Sequence, residues 1–214
     1  MDMPGAWANL FVEALKLMAY LEQRIENATW TFGGGTVLML RIGHRQSKDI
    51  DLFVPDPQYL GYVNPRLSEV AEGVSTDYEE SAEYVKLYLQ GGEIDVIAGQ
   101  PLTGEPYEVI AHEGRHIKVE TSAEIIAKKM WHRGDRAKGR DLFDLCAVAT
   151  AEPDQLKLAE PFLVRHGATF LQAIDEREDV LRREFDQIDA IGEGLDFDEC
   201  LRYAKAIIEP LMES

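Results

Sequence analysis

Thr31-Phe32-Gly33-Gly34-Gly35-Thr36-Val37-Leu38, followed by Gly43-His44-Arg45-Gln46-Ser47-Lys48-Asp49-Ile50-Asp51-Leu52-Phe53-Val54, is the stretch on which the fold turns. Ala28 to Phe32 reads as a short strand running into three glycines. A helix starting at Thr36 and continuing through Leu40 would point its N-terminus at whatever the glycines cradle. After the polar segment Gly43 to Ser47, residues Asp49 to Val54 alternate polar and apolar before Pro55, the pattern of a half-buried strand.

Outward from this stretch, Leu10, Phe11, Ala14, Leu15, Met18 and Leu21 recur at helical spacing, so Trp7 to Glu26 reads as an amphipathic helix. Tyr84 to Leu89 and Ile94 to Ile97 flank Gly91-Gly92 and read as a hairpin, and Tyr107 to Ile110 with His116 to Val119 flank Glu113-Gly114 as a second. From Ser122, read as an N-cap, the signal turns helical. Leu142, Leu145 and Val148 form a helical stripe, and further helices are expected over Asp154 to His166, Ala168 to Gln187 and Asp198 to Met212. The fold class is therefore α+β: a mixed or antiparallel sheet flanked by helices, followed by a helical C-terminal part. We place the core in residues 1–120 and the helical part, completing the active site, in residues 121–214.

Composition sets the outer limits. The 214 residues are 45% hydrophobic and 29% charged, ordinary for a globular chain. Uninterrupted apolar runs reach only about ten residues against the roughly 20 of a membrane span, so no membrane segment is expected. Met1 to Ala6 carries Asp2 in place of a basic cluster, and Glu13 and Lys16 break the apolar residues that follow, which argues against a secretory signal. Cys146 and Cys200 read as buried free thiols of a reducing compartment, so a cytoplasmic location is expected. A formal net charge of -17 opposes indiscriminate nucleic-acid binding. Between Arg115 and Arg140, however, eight basic residues stand against three acids. That excess can attract a polyphosphate or an RNA end. A solvated basic helix face is the alternative reading of the same residues.

Nucleotidyl transfer needs a seat for a triphosphate and a divalent cation to neutralise developing charge. Asp49 and Asp51, two apart on a strand, project from one face, and Asp95 completes a carboxylate set if its strand is a neighbour. Gly34 and Gly35 let backbone N–H groups approach phosphate oxygens, and Thr36 adds a hydroxyl. His112-Glu113-Gly114-Arg115-His116 matches the H-E-x-x-H zinc pattern as a string. It is rejected, because a glycine sits mid-motif and the flanks alternate as strands, where the zinc motif needs one helix face. Trp7, Trp30 and Trp131 read as core or core-edge residues.

The glycine and Asp-x-Asp segments together resemble the signature of the AbiEii/AbiGii toxin family of nucleotidyltransferases. Ala127-Lys128-Lys129 with Arg133, then Lys138-Gly139-Arg140-Asp141-Leu142-Phe143-Asp144-Leu145, resembles that family's later Lys, Arg and Arg-Asp-x-x-Asp-Leu motif. The match covers roughly residues 28 to 150, and the C-terminal helices carry no matching motif. The resemblance implies a DNA-polymerase-β-like core using NTP and Mg2+, with Asp49, Asp51 and Asp95 as metal ligands. It further implies that Lys129 contacts the triphosphate or assists transfer and that Asp141 is a further catalytic acid. Gly34, Gly35, Thr36, Arg133 and Arg140 complete the expected nucleotide contacts. The expected activity is NMP transfer from NTP to an acceptor hydroxyl by the toxin of a toxin–antitoxin pair. The acceptor could be tRNA, a protein or a small molecule, and a cognate antitoxin is an expected partner. Two alternatives stand beside it: a small-molecule, antibiotic-modifying nucleotidyltransferase, and a non-catalytic interaction protein retaining the fold.

Overall fold

The alternating segments of the N-terminal half become the strands of one sheet, and the helical signal after residue 121 becomes a cluster of helices. The structure, a computed structural model, describes residue 5, residues 7–192 and residues 194–212. Of the Met1 to Ala6 segment discussed above, only Gly5 lies among the described residues. The chain divides into two units: Met1–Leu40, Ser47–Pro101 and Tyr107–Glu120 form the first, and Arg41–Gln46, Leu102–Pro106 and Thr121–Ser214 the second.

The first unit contains α1 (Trp7–Arg24), β1 (Thr31–Gly33), most of α2 (Gly34–Ile42), β2 (Ile50–Val54), α3 (Glu69–Val74), β3 (Tyr78–Glu80), β4 (Tyr84–Leu89), β5 (Gly92–Ala98), β6 (Tyr107–His112) and β7 (Arg115–Glu120). The seven strands form one mixed sheet in the order β3-β4-β5-β2-β1-β7-β6. β2 runs parallel to β5 and β1 parallel to β7, while the remaining neighbours are antiparallel. The apolar members of each strand face one way: Phe32, Ile50, Leu52, Val54, Val85, Leu87, Ile94 and Val96 are buried. α1 packs its stripe of Leu10, Phe11, Ala14, Leu17, Met18 and Leu21 into this core, with Phe11 stacked on Phe32 at 4.6 Å between ring centroids. Period-two alternation then forces the polar members, Asp51, Asp95 and Lys86, onto the opposite face.

Several boundaries differ from the sequence expectation. β1 is shorter than Ala28 to Phe32 and α2 begins at Gly34, two residues earlier than Thr36. Gly34 turns the chain with φ 71, so the strand passes into the helix with no intervening loop. The His112 to His116 string is the tip of the β6–β7 hairpin, where Glu113 and Gly114 both have positive φ, so the two histidines belong to different strands.

The second unit holds α4 (Ser122–Arg133), α5 (Gly139–Ala151), α6 (Pro153–Leu158), α7 (Glu160–Glu176), α8 (Glu178–Asp186) and α9 (Phe197–Met212). The N-cap of α4 is Thr121, whose hydroxyl accepts from Glu124 N, and Ser122 is the first helical residue. α7 runs through Gly167, where a helix break was expected, and the breaks fall at Ala159 and Arg177. Trp7 and Trp30 are buried, but Trp131 is 42% exposed, with the Arg165 guanidinium 4.9 Å from its ring centre and His166 edge-on at 5.3 Å. Trp131 is thus a surface aromatic, because the turn of α4 that carries it has passed beyond the buried stripe. Among the described residues, no helix is long and apolar enough to cross a membrane.

Candidate active site

In the first unit, register aligns the candidate residues across four strands. Asp51 on β2 lies opposite Gly33 on β1 and opposite Asp95 on β5, and Asp95 lies opposite Lys86 on β4. Gly33, Asp51, Asp95 and Lys86 therefore form one row on one face. Lys86 Nζ donates to Glu93 Oε2 at 2.6 Å and lies 3.1 Å from Asp95 Oδ2. Asp95 Oδ1 is buried with no hydrogen-bond partner. Burial, then the neighbouring Asp51 charge, pushes the Asp95 carboxyl up to about 6, with Lys86 opposing. Burial works against the Lys86 ammonium, but the Glu93 hydrogen bond and the Asp95 charge outweigh it and hold this lysine above its ordinary range.

Asp49 stands one residue outside β2. Its Oδ1 accepts from Glu93 N at 3.1 Å, and its carbonyl accepts from Thr36 Oγ1 at 2.6 Å. Among the described residues, no three His, Cys, Asp or Glu side chains converge as a ready-made metal cage. The donor set nonetheless fits a hard cation: two carboxylates in register, one with an unpartnered buried oxygen, and a third carboxylate two residues from Asp51.

The glycines are shaped around these acids. A Cβ on Gly34 would lie 2.7 Å from Asp51 Cβ and would overlap its carboxylate. A Cβ on Gly33 would overlap the carboxylate of Glu120 and lie 2.9 Å from Phe53 Cε2. At the start of α2, the N–H groups of Gly34, Gly35 and Thr36 lack helical partners. The Thr36 hydroxyl proton goes to the Asp49 carbonyl, tying the start of α2 to the entry of β2. Glu120, 1% exposed and bonded to Thr31 Oγ1 at 2.6 Å, is a carboxylate that the sequence reading missed. Finding it requires knowing that β7 pairs with β1, a long-range fact carried by no local pattern.

In the second unit, α4 and α5 bring a separate set together. Lys128 and Lys129 are only 5% and 7% exposed, so neither belongs to a solvated basic face. Their partners differ. Lys128 lies 3.5 Å from Glu124, itself fully buried and accepting from Leu102 N and Thr103 N. Lys129 Nζ donates to Asp141 Oδ1 at 2.7 Å and lies 2.9 Å from Asp144 Oδ2. Asp141 also accepts from Lys138 N at 3.1 Å, fixing the first turn of α5, and Arg133 Nη1 lies 3.5 Å from it. Burial would raise Asp141, but Lys129 and Arg133 outweigh it and hold the carboxyl below its ordinary value, so it is an anion at neutral pH. Arg140 is exposed on the same turn.

Asp144 is the member that sequence reading left out of the site. It is fully buried, and Arg45 grips it with Nε at 2.6 Å and Nη2 at 2.9 Å while His44 Nε2 lies at 2.7 Å. Burial opposes its ionisation, yet Lys129 and Arg45 hold it well below the usual carboxylate range. Its sequence signal was present in the Arg-Asp-x-x-Asp spacing, which puts Asp141 and Asp144 on one helix face.

Comparison with known proteins follows the same lines. The profile of the family described as nucleotidyl transferase AbiEii toxin, type IV TA system, matches residues 16–206. A search of curated proteins found no match. MenT4, a nucleotidyltransferase toxin from Mycobacterium tuberculosis, superposes with a TM-score of 0.55 at 19% identity, covering 98% of this chain and 85% of that one. JHP933 from Helicobacter pylori gives 0.51 at 16% identity, covering 94% and 91%. The antibiotic-resistance factor ANT(2'')-Ia gives 0.51 at 15% identity, covering 81% and 98%. At these identities the likeness is one of fold.

Proposed function

The chain belongs to the AbiEii nucleotidyl transferase toxin family, and from that premise we propose that it transfers NMP from an NTP to an acceptor hydroxyl, with Mg2+ held by Asp51, Asp95 and Asp49. Nucleotidyl transfer and a toxin role follow from the family; the metal, the residues and the acceptor are our reading. The observation that carries it is the register of Asp51 against Asp95, with Asp95 Oδ1 unpartnered, beside a glycine turn that admits no side chain.

A bound Mg2+ would offset charge on the triphosphate and ease deprotonation of the acceptor hydroxyl. The N–H groups of Gly34, Gly35 and Thr36 bind phosphate oxygens at the N-terminus of α2. Asp95 Oδ1 orients the acceptor hydroxyl and takes its proton as the oxygen attacks the α-phosphorus; the bond from the α-phosphorus to the α–β bridging oxygen breaks and pyrophosphate leaves with that oxygen. Lys129 gives the triphosphate a cation, supported by Arg133 and Arg140, while Asp141 remains ionised and holds Lys129. The reaction takes place in the cytoplasm, and a cognate antitoxin restrains it.

Incubation with each labelled NTP, Mg2+ and total cellular RNA tests the reading. Label is expected in RNA, with Asp51→Asn and Asp95→Asn each lowering transfer by about a hundredfold or more. Full transfer by either variant would refute the assigned site.

A cationic small acceptor is the second reading, favoured by what lies beside Lys86: Glu79 accepts from the Tyr84 and Tyr88 hydroxyls, and Glu93 lies opposite Tyr88. An acidic, aromatic shelf suits an amine better than a phosphate backbone. Salt separates the two, because an RNA acceptor loses affinity steeply as salt rises.

A further inference from the structure

Asp144 is saturated. A carboxylate offers about four acceptor positions, and here Oδ1 takes Arg45 Nε and His44 Nε2 while Oδ2 takes Arg45 Nη2 and Lys129 Nζ. An ionised carboxylate can only accept, so His44 Nε2 donates to it. Lys129 has three N–H donors, of which Asp141 and Asp144 engage two, leaving one for a ligand.

Charge decides what Arg45 contributes. With Arg45 present, three cations (Arg45, Lys129 and, at the edge, Arg133) face two anions (Asp141, Asp144). Without it, Arg133 and Lys129 would face the two carboxylates, Asp144 would keep Lys129 as its one close cation, and the cluster would lose its net positive charge. Such a cluster would attract a triphosphate less. The backbone that carries the guanidinium is also fixed: Gln46 N donates to Asp189 O at 2.7 Å, Ile191 N donates to His44 O at 3.0 Å, and Arg45 forms an antiparallel backbone bridge with Ala190. Gly139 N donates to Glu184 Oε2, and Phe143 packs on Phe185 at 5.3 Å, so the C-terminal helices also hold the start of α5 in place.

We infer that Arg45, seconded by His44 and held by the Asp189 to Ile191 segment, is a positioning residue that neutralises Asp144 and so keeps the third N–H of Lys129 available to a triphosphate. The inference rests on the reading of Lys129 as a triphosphate contact. It also gives the Asp189 to Ile191 segment a role in nucleotide affinity.

The test is a double-mutant cycle on the full-length chain, with the NTP Kd measured calorimetrically. R45M is expected to raise Kd about tenfold, R45K about threefold, and K129M at least about tenfold, while R45M/K129M should match K129M alone. A structural role would leave the Arg45 effect intact in the K129M background, so additive losses overturn the inference while leaving the reading of Lys129 standing. If K129M alone binds NTP like the wild type, that reading falls and takes the inference with it. Should R45M fail to fold, R45K carries the same cycle, since it keeps the charge and loses only the two-pronged grip. An R45K effect that persists in K129M then overturns the inference.

Discussion

Gly34 and Asp51 occupy each other's space: the Asp51 side chain fills the position where a Gly34 Cβ would stand, 2.7 Å from its own Cβ. Gly34 also has φ 71, a conformation that L side chains rarely adopt. Gly34→Ala therefore meets crowding and strain together, and Asp51 must move. We expect transfer to fall about a hundredfold and stability by about 1–3 kcal/mol. Gly43 provides the control for strain alone, with φ 60 and no atom within 4 Å of its Cβ position. Gly43→Ala should cost about 1 kcal/mol. Thermal unfolding of both variants checks the difference, and equal losses would show that crowding at Asp51 plays no part.

Asp95 makes stability depend on pH in a defined direction. Its carboxyl rises from 3.8 to about 6 through burial first, then the Asp51 charge, against Lys86. A raised folded-state value means that the folded chain binds the proton more tightly than the unfolded one. That contribution is complete below about 3.8 and is lost as pH rises through about 6. Measured without metal, Asp95→Asn should match the wild type near pH 4 and exceed it at pH 7 by on the order of 2 kcal/mol. The other titrating groups are common to both proteins, so the difference between the two melting curves isolates Asp95. Parallel curves from pH 4 to 7.5 would remove the basis for the shift.

Lys86 competes with any cation for Asp95, since its ammonium lies 3.1 Å from Oδ2. Removing it should let Asp95 hold its proton to higher pH. In Lys86→Met, Mn2+ binding followed by electron paramagnetic resonance should lose its acid limb about one unit higher than in the wild type. At pH 8, with Asp95 ionised in both proteins, the variant should bind Mn2+ more tightly. Unchanged affinity at both ends would show that Lys86 serves the sheet and not the carboxylate.

Local chemistry was legible in the sequence wherever a period or a turn residue encoded it. Alternation around Asp51 and Asp95 put both carboxylates on polar faces, and Gly91-Gly92 marked the hairpin that carries Asp95. What the sequence withheld were pairings distant along the chain. The parallel contact of β2 with β5, which brings Asp51 beside Asp95, was needed by the site but written in no motif. Glu120 stayed hidden for the same reason. Asp144 was visible in its motif yet was given no role in the site, because its worth lies in Arg45 and His44, about a hundred residues earlier. A solvated face was the alternative reading of the run holding Lys128 and Lys129; buried acids on α4 and α5 draw both inward.

Gly167 shows the same limit in a form that can be measured. The sequence suggests a helix break there, yet α7 continues from Glu160 to Glu176. Glycine in a helix interior costs about 1 kcal/mol relative to alanine, so a packing reason must outweigh that. A Cβ on Gly167 would overlap Ile208 Cγ2 and lie 3.4 Å from its Cγ1, so α7 and α9 approach closely because no side chain separates them. Gly167→Ala should therefore destabilise by about 1–3 kcal/mol despite its better helix propensity. In an Ile208→Ala background the obstructing methyl is gone, and the same substitution should become stabilising by up to about 1 kcal/mol. Chemical denaturation of the four proteins reads the sign change directly. If Gly167→Ala destabilises equally in both backgrounds, the glycine is retained for some reason other than its contact with Ile208.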